Sequence, residues 1–118
     1  GKVITEMAMA DGSVDMVAVC DVDQSMNEEA ISLITEKSNI APKQYKDYRK
    51  MLDRTDIDVV TIGAPDHWHT AMAIAACRAG KHVYCEKPLT LTIAEAKRTI
   101  EAVRKYERVF QTGICSRR

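Results

Sequence analysis

No sign of charge predominates in this sequence. Its 17 lysines and arginines are balanced by 17 aspartates and glutamates. That removes the field that draws a protein onto nucleic acid or an anionic membrane, and the closing Arg117-Arg118 pair is too short a cluster to restore it. No apolar run approaches the ~20 residues that a membrane span needs, so no membrane partner is expected. Four cysteines occur, at positions 20, 77, 85 and 115, none with C-x-x-C spacing. A zinc site, a dithiol redox pair and a disulfide framework are all disfavoured, and Cys20 and Cys85 lie in apolar runs that suit buried reduced thiols. There is no nucleophile elbow, internal repeat, low-complexity tract or Pro/Gly/Ser linker. No secretory leader is visible in the residues given, which sets a cytoplasmic location as the expectation. What remains is a globular composition, 46% hydrophobic and 29% charged over 118 residues, enough for one modest domain.

Helix-like and strand-like segments alternate along the chain. Lys2 to Ala10 reads as a short helix with Val3, Ile4 and Met7 on one face, stopped at Asp11-Gly12. Met16 to Cys20 is a continuous apolar run, the pattern of a strand covered on both faces. Ser25-Met26-Asn27-Glu28 has capping-box spacing, with Met26, Ala30, Leu33 and Ile34 as the apolar stripe of the helix behind it. A short strand is placed at Tyr45 and a short helix over Tyr48 to Arg54. Val59 to Ile62 is a second buried strand. Asp66 is the N-cap candidate of a helix over His67 to Ala79, whose Trp68, Ala71, Met72, Ala75, Ala76 and Ala79 recur at three- and four-residue steps. Val83 to Cys85 is the next strand. Thr92-Ile93-Ala94-Glu95 is a capping box for a helix to about Tyr106, with Ile93, Ala96, Ile100 and Val103 inward, and Val109 to Thr112 is the last strand. Alternation of this kind implies βαβ units and a parallel sheet.

In such sheets ligands lie beyond the carboxyl ends of the strands, so residues just past each strand are the candidates. Asp21 follows the first apolar run directly, and Gly1 lies 20 residues upstream of it. An acid about twenty positions after a glycine turn takes the ribose hydroxyls of NAD. Gly1 is therefore a candidate last glycine of a G-x-G-x-x-G turn, and an acid in place of Arg favours NAD over NADP. Asp23 is the near alternative, although it suits the start of the next helix equally. Pro65-Asp66-His67-Trp68-His69 follows the second strand and opens a helix, whose N-terminus favours phosphate. His67 and His69 are two apart and lack a completing carboxylate or Cys, so no metal is expected. Trp68 is expected to pack in the core, with a ring lying against the nicotinamide edge of the pocket as the alternative. Glu86-Lys87-Pro88 follows the third strand. A lysine there can hold a carbonyl oxygen, steer a hydroxyl or assist proton transfer, and Pro88 stiffens the backbone that presents it.

Val17-Ala18-Val19-Cys20-Asp21-Val22-Asp23, Tyr45-Lys46-Asp47-Tyr48, Pro65-Asp66-His67-Trp68-His69 and above all Ala79-Gly80-Lys81-His82-Val83-Tyr84-Cys85-Glu86-Lys87-Pro88-Leu89 resemble the Gfo/Idh/MocA (glucose–fructose oxidoreductase / inositol dehydrogenase / MocA) family of nicotinamide-dependent dehydrogenases. The resemblance runs over nearly the whole chain, in order. It implies an α/β, Rossmann-like doubly wound parallel sheet. It implies that Lys87 is catalytic, orienting the reacting hydroxyl or carbonyl beside the nicotinamide, with Glu86 and Pro88 placing it in the cofactor site. Asp21 would take the adenosine ribose, Pro65 and His69 would line the cofactor cleft, and Gln111-Thr112-Gly113 would lead into a substrate domain. The substrate implied is a sugar, polyol or related small alcohol, and the full-length parent is expected to be a homo-oligomer.

The chain is expected to depart from that family at both ends, with the first strand and glycine-rich turn largely missing, only Gly1 left of them, and the C-terminal substrate domain with its catalytic histidine not included. The expectation is a partial NAD(P)-binding Rossmann domain over residues 1–118, with little turnover by itself. In the usual strand order, 3-2-1-4-5-6, the missing strand is central, so Met16–Cys20 and Val59–Ile62 each lose a neighbour. The governing expectation is that Asp21, Pro65 and Lys87 reach a common crevice from parallel strands. Three alternatives stand beside the dehydrogenase: an NAD-assisted glycoside hydrolase, a non-catalytic nucleotide-binding module, and a fragment that does not fold stably alone.

Overall fold

The computed structural model describes residues 12–113. The Gly1 assignment and the helix read over Lys2–Ala10 lie outside the described residues. A boundary between Arg54 and Thr55 divides the chain into two compact units.

The first unit is a βαβ arrangement. β1 (Ala18–Cys20) pairs in parallel with β2 (Lys43–Tyr45), Cys20 opposite Tyr45, and α1 (Gln24–Ser38) joins them. α1 starts where Asp23 supplies a cap: its Oδ1 accepts from the Ser25 N–H at 2.9 Å and from the Ser25 hydroxyl at 2.7 Å. The helix thus begins ahead of the Ser25–Glu28 pattern, and its inner face shifts accordingly. Asn27 and Ile34 are buried, while Met26, expected in the stripe, is exposed. The helix ends on Asn39 in the left-handed region, φ 57°. A short α2 (Tyr48–Leu52), capped by Asp47, closes the unit.

The second unit carries a three-stranded parallel sheet, β3 (Val59–Ile62), β4 (His82–Cys85) and β5 (Phe110–Thr112), in that order. Ile62 stands opposite Cys85, and Cys85 opposite Thr112, so all three strands finish level. After a single 3-10 turn at Asp66–Trp68, α3 (His69–Arg78) crosses back from β3 to β4, and α4 (Ile93–Lys105) crosses from β4 to β5. Asp66 lies inside that turn, which Pro65 precedes, so the expected Asp66 cap does not form. Gly80 adopts φ +80° and closes α3 with bonds from Gly80 N to Cys77 O and from Lys81 N to Ala76 O. A left-handed glycine just past the last turn is a common way for a helix to finish.

α3 packs over β3 and β4 and against α4. Val60, Ile62, Val83, Cys85, Ala73, Ala76, Cys77 and Ala102 form the core. β3 was expected to be buried throughout; instead Val59 and Thr61 are exposed, so only one face of this sheet is covered among the described residues. α4 also differs from its expected orientation. Thr92 and Glu95 complete the capping box as read, but Thr99 and Ala102 point inward and Ile93 is 79% exposed. Small residues win the inner face because α3 itself presents alanines and the two helices approach closely. Buried Thr99 loses nothing by this, since its hydroxyl donates to Glu95 O at 3.0 Å.

Candidate functional site

Three chain segments leave the carboxyl edge of the β3–β4–β5 sheet. They begin at Gly63, Glu86 and Gly113, one step past the paired residues Ile62, Cys85 and Thr112. The ladder extends into them: Glu86 N donates to Ile62 O at 2.9 Å and Gly113 N to Cys85 O at 2.9 Å. Pro65 and Lys87 therefore leave neighbouring parallel strands at the same edge, as the sequence required. Lys87 is exposed and Glu86 half-buried. Glu86 Oε2 accepts from the Lys87 N–H at 3.3 Å, and the Lys87–Pro88 peptide is cis.

His69 opens α3 and is 1% exposed. Its Nδ1 lies 2.7 Å from Pro88 O and its Nε2 2.7 Å from Ala64 O. The resemblance placed this ring along the cofactor cleft; here both nitrogens are occupied by backbone carbonyls of the two loops. Trp68, by contrast, is 45% exposed and stacks at a tilt on His67, ring centroids 5.5 Å apart. It is not the core aromatic that was expected, because the 3-10 turn directs it away from the helix face that packs.

Gly113 marks a close approach that the sequence reading used only as a chain exit. A Cβ at this position would sit 2.6 Å from the Tyr84 hydroxyl and 2.7 Å from Glu86 Oε1. The Tyr84 side chain and the Glu86 carboxylate thus share one small space, open only because residue 113 has no side chain.

In the first unit, Asp21 follows β1 and is exposed. Its N–H donates to Tyr45 O at 3.2 Å, and its Oδ1 accepts from the Asp23 N–H at 2.9 Å. The structure separates the two acids that the sequence left open. Asp23 is committed to the α1 cap, and its bonds from Ser25 hold its carboxyl below the usual range. Asp21 spends one oxygen on the turn. Asn27, overlooked as a member of a capping pattern, is 1% exposed and ties this edge together: its Nδ2 donates to Asp21 O at 2.9 Å and to Tyr45 O at 3.2 Å. A buried Asn one turn into a helix, after a strand-end acid, was the signal available for it.

Cys20, Cys77 and Cys85 are free thiols. Burial pushes Cys20 up to about 11, with Asp21 and Asp47 adding to it. Burial, then Glu86, does the same to Cys85, also to about 11. Neither is an activated nucleophile. Among the described residues no group of three or more His, Cys, Asp or Glu side chains gathers as a metal site, and no helix is long and apolar enough to cross a membrane. A broad open hollow lies on the uncovered sheet face at Val59, His82, Tyr84 and Val109, away from the carboxyl edge.

Comparison with known proteins is consistent with this geometry. Residues 2–114 match the family described as "Oxidoreductase family, NAD-binding Rossmann fold" (GFO_IDH_MocA). An inositol 2-dehydrogenase of Salmonella paratyphi B is 36% identical over 97% of the chain and 33% of its own length. An alpha-N-acetylgalactosaminidase of Shewanella oneidensis is 34% identical over 80% of the chain and 22% of its own length. A solved levoglucosan dehydrogenase, in complex with NADH and levoglucosan, superposes with TM-score 0.72 at 33% identity, over 83% of the chain and 25% of its own. The chain thus spans a third or less of the length of the relatives it matches.

Proposed function

We propose, from the premise that this chain belongs to the GFO_IDH_MocA family of oxidoreductases with an NAD-binding Rossmann fold, that it is the cofactor-binding portion of an NAD-dependent dehydrogenase acting on a hydroxyl carbon of a sugar, polyol or related small alcohol. The carrying observation is Glu86-Lys87-Pro88 emerging at the carboxyl edge of β4, level with the Pro65 loop after β3. The donor set suits the cofactor. Asp21 has a carboxylate oxygen beyond the one held in its turn, as a ribose hydroxyl requires, and an acid there favours NAD over NADP. The names of an inositol dehydrogenase and a levoglucosan dehydrogenase among the similar proteins support the substrate class.

Oxidising a carbinol removes a hydride from carbon and a proton from oxygen; the nicotinamide, when bound, takes the hydride. This chain contributes placement and charge. The Lys87 ammonium holds the substrate oxygen and stabilises the negative charge that develops there as the proton leaves. Glu86 and Pro88 fix the backbone on either side of it. Pro65 belongs to the neighbouring loop of the same cleft. A cytoplasmic homo-oligomeric parent is part of this reading.

In the intact protein, Lys87→Ala should lower kcat for NAD-dependent polyol oxidation by about a thousandfold, with NADH dissociation constants nearly unchanged. Absorbance at 340 nm and fluorescence titration read the two. Equal loss in both would recast Lys87 as a residue that only binds the cofactor. A second reading, NAD-assisted glycoside cleavage, is favoured by the likeness to the Shewanella alpha-N-acetylgalactosaminidase. It predicts release of free sugar from a glycoside with no net accumulation of NADH.

A further inference from the structure

We propose that His69 is a positioning residue: its buried ring lies within hydrogen-bond distance of Pro88 O and Ala64 O at once and clamps the Lys87 loop to the loop after β3. The proposal rests on the reading of Lys87 as the lysine at the reacting centre. Lys87 is bracketed. On one side, Glu86 N donates to Ile62 O at 2.9 Å. On the other, Pro88 O meets His69 Nδ1 at 2.7 Å. Both anchors lead to β3 and its loop, the second through Nε2 and Ala64 O. The remaining local tie, Lys87 N to Glu86 Oε2, is longer at 3.3 Å and comes from the adjacent residue.

The acceptors define the ring's chemistry. A carbonyl oxygen only accepts, so a hydrogen bond here runs from a ring N–H to the oxygen, and the ring sits between the two oxygens at 2.7 Å from each. At 1% exposure no water competes. Because His69 is the first residue of α3, the clamp stands on a helix packed against both strands. A group at a reacting centre that moves by about an ångström can lose about a hundredfold in rate, so holding the lysine's backbone matters.

The test uses the intact protein and two variants. His69→Phe keeps a ring and removes both nitrogens; His69→Gln keeps a side-chain amide donor. His69→Phe should lose about a hundredfold in kcat, with the NADH dissociation constant within about threefold. Amide exchange in the peptide covering residues 86–91 should quicken about tenfold. His69→Gln should fall between, and it carries the same readouts if His69→Phe does not fold. A rise in the NADH dissociation constant matching the loss of kcat would overturn the proposal, placing the ring on the cofactor. Unchanged loop exchange would overturn it too. Should wild type oxidise no polyol, the dehydrogenase reading fails, while loop exchange still decides the clamp.

Discussion

The two units repeat one plan with different chemistry. In each, a strand ends on a cysteine followed by an acid, Cys20-Asp21 and Cys85-Glu86. In each, a buried polar side chain near the start of the helix between the strands joins the loop after the first to the end of the second. Asn27 does this for Asp21 O and Tyr45 O, and His69 for Ala64 O and Pro88 O. The amide reaches two oxygens with two hydrogens on one nitrogen and needs no charge. The ring reaches across with nitrogens on opposite sides. An amide therefore suits two carbonyls that converge, and an imidazole suits two that lie apart. The units also differ in what surrounds the tie. Ile34 and Leu52 are the buried aliphatics of the first unit among the described residues, against a core of nine residues from Ile57 to Ala102 in the second.

The sharpest way to break that comparison is Asn27→Leu. Asp21 O loses its side-chain donor and Tyr45 O is left with the Asp21 N–H, which should cost about 1–3 kcal/mol in a thermal or urea melt. In the intact protein the NADH dissociation constant should rise while kcat at saturating cofactor holds, the mirror image of the His69 variants. An unchanged melting curve would mean that the tie is decorative.

The matched cysteines sharpen the comparison further. With thiols at about 11 against an ordinary 9.0, Cys20 and Cys85 should alkylate about a hundredfold more slowly than a free thiol at pH 8, read peptide by peptide in a mass spectrometer. Cys20, half-buried, should react ahead of fully buried Cys85. The sign of the pH effect follows from the raised values. The unfolded thiols ionise first, so stability is fully present below about pH 9 and declines between 9 and 11. Rapid labelling of Cys85 at pH 8 would contradict its burial. The smallest effect is expected from Thr92→Ala, which removes one cap from α4 and should cost about 1 kcal/mol. It should leave cofactor affinity where it was; a shift there would tie the α4 cap to the cofactor site.

Much of this was legible in the sequence, for physical reasons. Strand ends are marked by a change from β-branched residues to glycine, acid and proline, so the strand ends at Cys20, Ile62 and Cys85 were located to the residue. The Thr92–Glu95 box was legible because a cap is a local interaction. The inner faces of α1 and α4 were not. Apolar periodicity assumes that the largest aliphatics seek the core, but close helix packing here prefers Thr99 and Ala102, and the first cap lies at Asp23. The ties made by Asn27 and His69 were hidden for a different reason. Their partners are backbone oxygens 18 and 19 residues away, and no side-chain pattern records a carbonyl.

Gly113 joins chain exit and chemistry mechanically. The backbone leaving β5 brushes the tip of Tyr84 and the carboxylate of Glu86, with no methyl's width to spare. Glu86 in turn abuts Lys87. A side chain at position 113 would therefore meet Glu86, the residue that precedes the lysine proposed to hold the substrate oxygen.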